Sequence, residues 1–295
     1  MVSVDRPAST LDPRMVARAH RAVEPLHNHV YFVPETDEHL IATGLRPGRM
    51  VYFAGRAAPM GAVGAGVVAA TFYNFSPAVV ARHIPRAWTL AAPAEVLAAR
   101  FAAAQVSLTR LLGGPEAAGA PEVAELAELL REACTVLTTE GRPLFAAHAD
   151  LPWPEDPVLV LWHGATLLRE HRGDGHLAAL LRAGLSGLEA LITHTATGRG
   201  FRPEIAKLTR GWSEEEWGAA EARLADRGLL AGSGLAPDGE ALRARIEAET
   251  DELSAAPWQH LGSERTARVI ELGREFSGRI IKAGIYADGP RFIAQ

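Results

Sequence analysis

The sequence predicts a mainly α-helical protein with short β hairpins. Apolar residues recur at three- and four-residue spacing along most of the chain, strand-like segments are scarce, and glycine–proline breaks separate the helical stretches. Hydrophobic residues make up 48% of the 295 residues, which is enough for a sizeable core. An intrinsically disordered chain is therefore excluded.

The predicted helices end at recognisable signals. The sequence GGP at 113–115 ends one helix, and the proline of GAP at 119–121 begins the next helix at its first turn. These breaks predict an N-terminal half at 1–113, a helical linker and connector at 114–157, and a C-terminal domain at 158–295. The predicted helices span residues 12–24, 93–112, 121–137, 156–171, 175–183, 213–226, 237–253 and 263–282.

The C-terminal domain has the element order of a winged helix-turn-helix. A helix containing LEALITH precedes the short helix PEIAKLTRG. Ser213 then caps a longer helix, with Glu216 in position for a capping box, and Gly228 ends that helix. The apolar segment LLAGSGLA can fold back as a two-stranded wing before the long helix PDGEALRARIEAETDEL. The helix that follows Ser213 is therefore the expected recognition helix.

The N-terminal half loosely repeats this plan. Its segment SPAVVARHIPRAWTLAAPAEVLAARFAA aligns with RPEIAKLTRGWSEEEWGAAEARLADRG, and both contain Arg-x-Trp before an alanine-rich helix. A genuine repeat would make the chain an intramolecular version of a winged-helix dimer. The alignment needs gaps, so a chain without a repeat stays open as the alternative.

Two resemblances support the same architecture. The segment from RLADRGLL through LAPDGEALRARIE resembles the MarR-type winged helix. The whole chain resembles an actinobacterial helix-turn-helix family of tandem MarR-like type, on the segments YFAGRAAPMG, ATFYNFSPAVV, LPWP and LWHGATLLREHRGDGH. The resemblance implies a tandem winged-helix (MarR-like) architecture with short β wings. It also implies a ligand-responsive, DNA-binding transcription regulator as one function to consider.

The residues of the recognition helix disfavour DNA as a partner. The helix opens with SEEEW at 213–217, whose carboxylates would repel phosphate, and the wing AGSG carries no Arg or Lys. The net charge of −5 gives no broad basic surface either. DNA stays open as an alternative partner because four cations lie just before the acidic helix. These cations are Arg199, Arg202, Lys207 and Arg210.

The densest polar stretch of the chain is WHGATLLREHRGDGHLAAL, which begins at residue 162 between two apolar segments. Polar groups placed in a core must find partners, because each unpaired group costs roughly 1–3 kcal/mol. On a helix, His163, Thr166 and Glu170 share one face. The GDG triplet would allow a tight turn, in which Asp174 caps the next helix and His176 returns toward the first.

We expect this stretch to line a pocket for a polar or anionic small molecule. If the protein is an enzyme, the pattern predicts acid–base chemistry without a cofactor, with an arginine to hold the anion. The expected catalytic residues are His163, Glu170 and His176. The expected ligand-binding residues are Thr166, Arg169, His171 and Asp174 in the stretch, and His27, Arg56, Tyr73 and Asn74 outside it.

Three alternatives remain open at this point. In the first, Glu170 and Asp174 pair with Arg169 and Arg172 in a purely structural network, and the chain is a non-catalytic interaction protein. In the second, His163 is a core histidine whose partners are satisfied. In the third, the three expected catalytic residues supply nitrogen and oxygen ligands to zinc or iron, although their spacing matches no established metal motif.

Cysteine content and the N-terminus bear on the cellular setting. The single cysteine, Cys134, cannot form an intramolecular disulfide, so a reducing, cytoplasmic environment is expected. The opening sequence MVSVDRPASTLDP lacks the layout of a signal peptide. The span 57–81 carries no charge, but its polar residues and two prolines favour a buried helix pair over a membrane span. We expect a monomer or a homodimer.

Overall fold

The computed structural model describes residues 11–198, 202–287 and 289. This part of the chain is almost entirely helical and contains one two-stranded sheet, which confirms the mainly helical fold. In chain order the elements are α1 (Pro13–Asn28), α2 (Pro34–Ala42), α3 (Arg49–Ala57), α4 (Ala65–Phe72), α5 (Pro77–Ala81), α6 (Pro93–Leu112), α7 (Pro115–Ala118), α8 (Pro121–Cys134), α9 (Pro143–Ala149), α10 (Pro157–Arg182), α11 (Gly187–Thr195), α12 (Pro203–Arg210), α13 (Glu214–Asp226), β1 (Leu230–Ala231), β2 (Gly234–Leu235), α14 (Pro237–Leu253) and α15 (Ala256–Lys282).

Local sequence signals placed most of these helices correctly. α6 and α14 have the predicted bounds, and α1 and α8 differ from the prediction by three or four residues at their C-terminal ends. α13 begins with the predicted capping box: Ser213 Oγ accepts the Glu216 N–H at 3.1 Å, and the Glu216 carboxylate accepts the Ser213 N–H at 2.9 Å. The helix predicted from 263 continues α15 after a break at Gly262, whose φ is +75°.

The predicted helix break within the GDG triplet is wrong, because α10 is one continuous helix. Asp174 does not cap that helix. Its Oδ2 accepts the backbone N–H groups of Leu144 and Phe145 at the start of α9, at 3.0 and 2.9 Å. Gly175 serves close packing instead of a turn, since a Cβ there would lie 2.8 Å from Arg142 Nη1. Gly175 therefore reflects a tertiary contact that no local pattern reveals.

Three apolar clusters form the core. The largest joins α1, α6, α8, α10 and α15, so it combines helices from both ends of the chain. The second contains α3, α4, α5 and the start of α6, and the third contains the end of α10 with α11, α12, α13 and α14. Because α10 contributes to the first and the third clusters, side chains along it connect the N-terminal helices with the C-terminal domain.

The C-terminal domain contains the predicted helix order and the predicted wing. Leu230 of β1 pairs with Leu235 of β2 in antiparallel register, and α14 follows directly. A second wing in the N-terminal half is wrong for the described residues, because no strand occurs between 11 and 198. There α6 ends at Gly113, in the left-handed conformation, and leads into α7 and α8. The N-terminal half therefore does not repeat the complete plan.

The uncharged span 57–81 contains α4 and α5 and contributes to the second apolar cluster. None of the described helices is by itself long and apolar enough to cross a membrane. One bent pair of segments, Arg49–Met60 and Ala65–Phe72, is together long and apolar enough for a membrane span, but the two segments meet at an angle of 95°. Val68 and Phe72 of α4 and Val79 and Val80 of α5 are buried, as expected for this span, whereas Val67 of α4 is exposed.

Candidate functional site

A polar cavity of about 440 Å³ lies between α1, which contributes Glu24, and helices α3, α4, α10, α11, α12 and α14. It is lined by side chains from the N-terminal helices on one side and from the C-terminal domain on the other, with α10 between them. Five arginines line it, and we name it the arginine cavity. These are Arg56, Arg169, Arg172, Arg210 and Arg243.

Behind one wall of the arginine cavity, two guanidinium groups share one carboxylate. Arg56 donates to both oxygens of Glu170, at 3.3 and 3.1 Å, and Arg169 donates to Oε2 at 2.5 Å. Glu170 is only 1% exposed. Burial by itself would favour the neutral acid, but the charges of Arg169 and Arg56 hold the pKa of Glu170 well below its usual value. Arg56, Arg169 and Glu170 therefore carry a net charge of +1 together, and we call the two arginines the cation pair.

The opposite wall belongs to the C-terminal domain. Arg210, at the end of α12, lies over the ring of Phe75 at 4.6 Å, and burial lowers the pKa of its guanidinium. Arg243 donates to Glu247 at 2.9 Å, and Arg172 shares the same carboxylate at 3.3 Å. Arg172 also reaches Asp251 at 3.2 Å.

Aromatic rings complete the cavity lining. Tyr52, Phe72 and Phe75 pack together, with ring centroids 5.5 Å apart for Tyr52 and Phe75. Arg56 lies over Phe72 at 4.4 Å. A planar ring could stack on this wall while its acid group contacts guanidinium donors, because arginine forks match the geometry of carboxylates and phosphates.

Tyr73 and Asn74, both expected ligand-binding residues, line the same cavity at the end of α4. Tyr73 has φ of +54°, and the Asn74 N–H donates to Phe72 O at 2.7 Å, which is a strained γ-turn. The Tyr73 hydroxyl donates to Leu185 O at 2.5 Å. Gly187 accommodates this turn, since a Cβ there would lie 1.9 Å from Tyr73 O. The turn therefore fixes the N-terminal helices against the start of α11.

His163, an expected catalytic residue, lies in the core and does not reach the arginine cavity. Its ring contacts Trp153 edge-on at 4.8 Å and Phe101 at 5.9 Å, and the residue is 1% exposed. Among the described residues neither ring nitrogen has a hydrogen-bond partner. Burial lowers the pKa of His163 to about 4, so the ring is neutral near neutral pH. The expectation of a satisfied core histidine is therefore right about its place and wrong about its hydrogen bonds.

Three other expected ligand-binding residues make contacts between helices inside the protein and do not line the cavity. His27 Nδ1 and Thr166 Oγ1 form a hydrogen bond of 2.8 Å, and both residues are fully buried. His171 packs edge-on against Phe145 at 5.0 Å, and burial lowers its pKa to about 3. These residues hold α1 and α9 against α10.

The structure separates the three expected catalytic residues. His163 lies in the core, Glu170 lies behind the arginine pair, and His176 lines the arginine cavity with its Nδ1 2.8 Å from Thr250 Oγ1. Burial lowers the pKa of His176 to about 4. Within residues 11–198, 202–287 and 289, no group of three or more His, Cys, Asp or Glu side chains could hold a metal ion, so the zinc or iron alternative finds no ligand set.

The structural alternative is right in one pair and wrong in the other. Arg169 does pair with Glu170. Asp174 binds backbone N–H groups of α9 instead of Arg172, which pairs with acids of α14. Sequence reasoning missed Arg243. The available signal was its register in ALRARIEAET, where Arg243 lies four residues before Glu247 on the helix face that also carries buried Thr250.

The helix-turn-helix segment presents an acidic surface, as expected. Glu214, Glu215 and Glu216 are exposed at the start of α13, and Lys207 pairs with Glu214 at 2.6 Å. The residues between β1 and β2 carry no charge. Arg202 is exposed before α12, and Arg199 lies outside the described residues.

Comparison with known proteins agrees with this architecture. A model of a helix-turn-helix family matches residues 16–287. No curated protein and no solved structure matches the chain. Because the matched residues make up most of the sequence, the chain belongs to this helix-turn-helix family.

Proposed function

We propose that this helix-turn-helix protein binds a small organic anion in the arginine cavity. The single observation that carries the proposal is that Arg56 and Arg169 share the carboxylate of buried Glu170, so these three side chains together carry a net charge of +1. A buried charge is expensive unless it is paired, so an added anion would lower the electrostatic cost of this wall.

The size and chemistry of the cavity agree with an organic ligand. A volume of about 440 Å³ lies within the range of small-molecule pockets. The rings of Tyr52, Phe72 and Phe75 offer an apolar contact, and the guanidinium groups offer directional donors. We therefore expect aromatic carboxylates and aryl phosphates to bind better than small inorganic anions.

Binding is a better assignment than catalysis for the residues in this cavity. Glu170 is held as a carboxylate by two arginines, which makes it a weak proton acceptor. His176 is bonded to Thr250 through Nδ1. The three expected acid–base residues lie apart from one another, whereas the arginines that could bind an anion line a single cavity.

Thermal unfolding tests the proposal with benzoate, phthalate, phenyl phosphate and citrate as probes. At least one probe should raise the melting temperature of the wild type, and Arg169→Gln should weaken its affinity roughly 10- to 100-fold, the range for a hydrogen bond to a charged group. Arg182→Gln is the matched control, because Arg182 lies on the same helix with a side chain 79% exposed. Equal binding by the two variants would contradict the proposal.

DNA binding is the second candidate function, and the family membership favours it. In this form the protein is a ligand-responsive regulator, and the arginine cavity is its effector site. Fluorescence anisotropy of a labelled duplex should then show affinity that falls steeply as salt concentration rises. If the duplex does not bind even at low ionic strength, this candidate is removed, and the proposal of anion binding is unaffected.

A further inference from the structure

The N-terminal half contains a long segment without any acidic residue. Residues 39–94 include no Asp or Glu, although the whole chain has 35 of them. The same segment contains five arginines. One of these, Arg56, is buried and paired with Glu170. The other four are Arg46, Arg49, Arg82 and Arg86.

Arg46 and Arg49 lie at the start of α3, Arg82 and Arg86 lie just after α5, and we name the four together the basic face. Arg46, Arg82 and Arg86 are exposed, and Arg49 is half-buried. The pKa of His83 is lowered by burial and by the charges of Arg49, Arg82 and Arg86, which places all three within electrostatic reach of one ring. No carboxylate contributes to that shift.

Ion pairs are absent from the basic face among the described residues, whereas several other surface arginines have them. Within the described part of the chain, no carboxylate lies within 4 Å of any of its four guanidinium groups, which is the distance at which an ion pair is recognised. Many other surface arginines do have such partners. Examples are Arg110 with Glu35, Arg265 with Glu132, Arg268 with Glu125 and Arg279 with Glu275. Uncompensated guanidinium groups keep their full attraction for phosphate.

The basic face is attached to the helix-turn-helix. Arg49 Nη2 donates to Leu208 O in α12 at 2.6 Å. Just before α5, the Ser76 N–H donates to Arg210 O at 2.8 Å. Gly211, in the turn between α12 and α13, lies so close to α5 that a Cβ would be 2.7 Å from Val79 Cβ. The start of α3 and the whole of α5 therefore lie beside α12 and that turn.

We propose that the basic face binds the sugar–phosphate backbone of duplex DNA, with the turn between α12 and α13 beside it. The inference rests on DNA binding, the second candidate function. It explains how a helix-turn-helix protein with an acidic α13 contacts DNA: the phosphate contacts come from the N-terminal half. Each guanidinium that neutralises a phosphate releases counterions, so the four arginines supply affinity without any base contact.

The test uses the full chain and a labelled duplex of mixed sequence, with anisotropy measured from about 50 mM to about 200 mM salt. Arg82→Gln/Arg86→Gln should weaken binding at the lowest salt at least about tenfold. It should also reduce the slope of log affinity against log salt by about 1.8, or ~0.9 for each lost phosphate contact. The matched control is Arg14→Gln/Arg18→Gln, which removes the same charge from two exposed positions of α1. The control should bind as the wild type does.

Thermal melts establish that the variants are folded, since exposed substitutions change stability by only about 0.5 kcal/mol. If Arg82→Gln/Arg86→Gln unfolds, Arg46→Gln replaces it, with an expected slope change of ~0.9.

Each other result overturns the proposal. Equal losses in the test and control variants would show that net charge alone matters. A wild type that binds no duplex at low salt removes DNA binding together with this inference, whereas duplex binding that survives loss of the face removes the inference alone. Binding of the face to vesicles of phosphatidylserine, or to single-stranded RNA, in preference to the duplex would assign it to another partner.

Discussion

Replacing Glu170 by glutamine measures how much its carboxylate stabilises the two arginines that share it. Glu170→Gln keeps the shape of the side chain and removes the carboxylate that contacts both Arg56 and Arg169. Glu170 is 1% exposed, and the side chain of Arg56 is 9% exposed, so little water can replace the lost charge. The variant therefore leaves two guanidinium groups beside each other without a counter-charge.

The expected loss follows from this burial. Removing one partner of a buried ion pair costs about 3–5 kcal/mol. The side chain of Arg169 is 31% exposed and partly screened by water, which places the expected loss near the lower limit, about 3 kcal/mol. For a chain of this size, that loss lowers the melting temperature by roughly 6–12 °C.

Urea denaturation followed by circular dichroism measures this loss. Glu125→Gln is the control, because Glu125 pairs with Arg268 at the surface and its side chain is 42% exposed. The control should lose less than about 1 kcal/mol. A bound anion supplies the missing charge, so phthalate should stabilise Glu170→Gln more than it stabilises the wild type. A loss below about 1 kcal/mol in Glu170→Gln, or equal stabilisation of both proteins by phthalate, would refute the reasoning.

Two further predictions concern the core and the turn at Tyr73. His163 is neutral when folded and has a pKa of about 4, below its unfolded value, so the unfolded chain binds the extra proton and stability falls as pH drops from about 6.5 to about 4. His163→Phe should reduce that slope by up to ~1.36 kcal/mol per pH unit in denaturation at several pH values, and an unchanged slope would contradict the assignment. Gly187→Ala should cost more than about 2 kcal/mol, because its Cβ would meet Tyr73 O at 1.9 Å. Gly218→Ala, in open space on α13, should instead stabilise by about 0.5–1 kcal/mol, and similar effects of the two substitutions in thermal melts would be inconsistent with this packing.

Local signals explain what the sequence could predict. The capping box of Ser213 and Glu216 and the glycine after α13 act within a few residues, so both ends of α13 were predictable. Local signals fail where a glycine is needed for close packing against a residue distant in sequence. Gly175 accommodates Arg142 from another element, and its neighbour Asp174 binds the start of α9.

The candidate site was predictable only in part. The polar stretch on α10 correctly indicates that Arg169 and Glu170 matter, because charged residues between apolar runs require partners. The second partner of Glu170, Arg56, is 114 residues away along the chain, and Arg210 and Arg243 come from helices whose placement depends on tertiary packing. The division of the chain at 113 and 157 stays a prediction. Sequence spacing alone thus identified one wall of the arginine cavity and could not assemble the other.

Isothermal titration calorimetry with phthalate and phenyl phosphate measures anion binding in the arginine cavity itself. We expect one site per chain in the wild type. The affinity should be lowered at least about tenfold in both Arg169→Gln and Arg210→Gln, which alter opposite walls, and unchanged in Arg182→Gln. Absence of binding heat in the wild type, or equal affinity in all four proteins, would contradict an anion site in the arginine cavity.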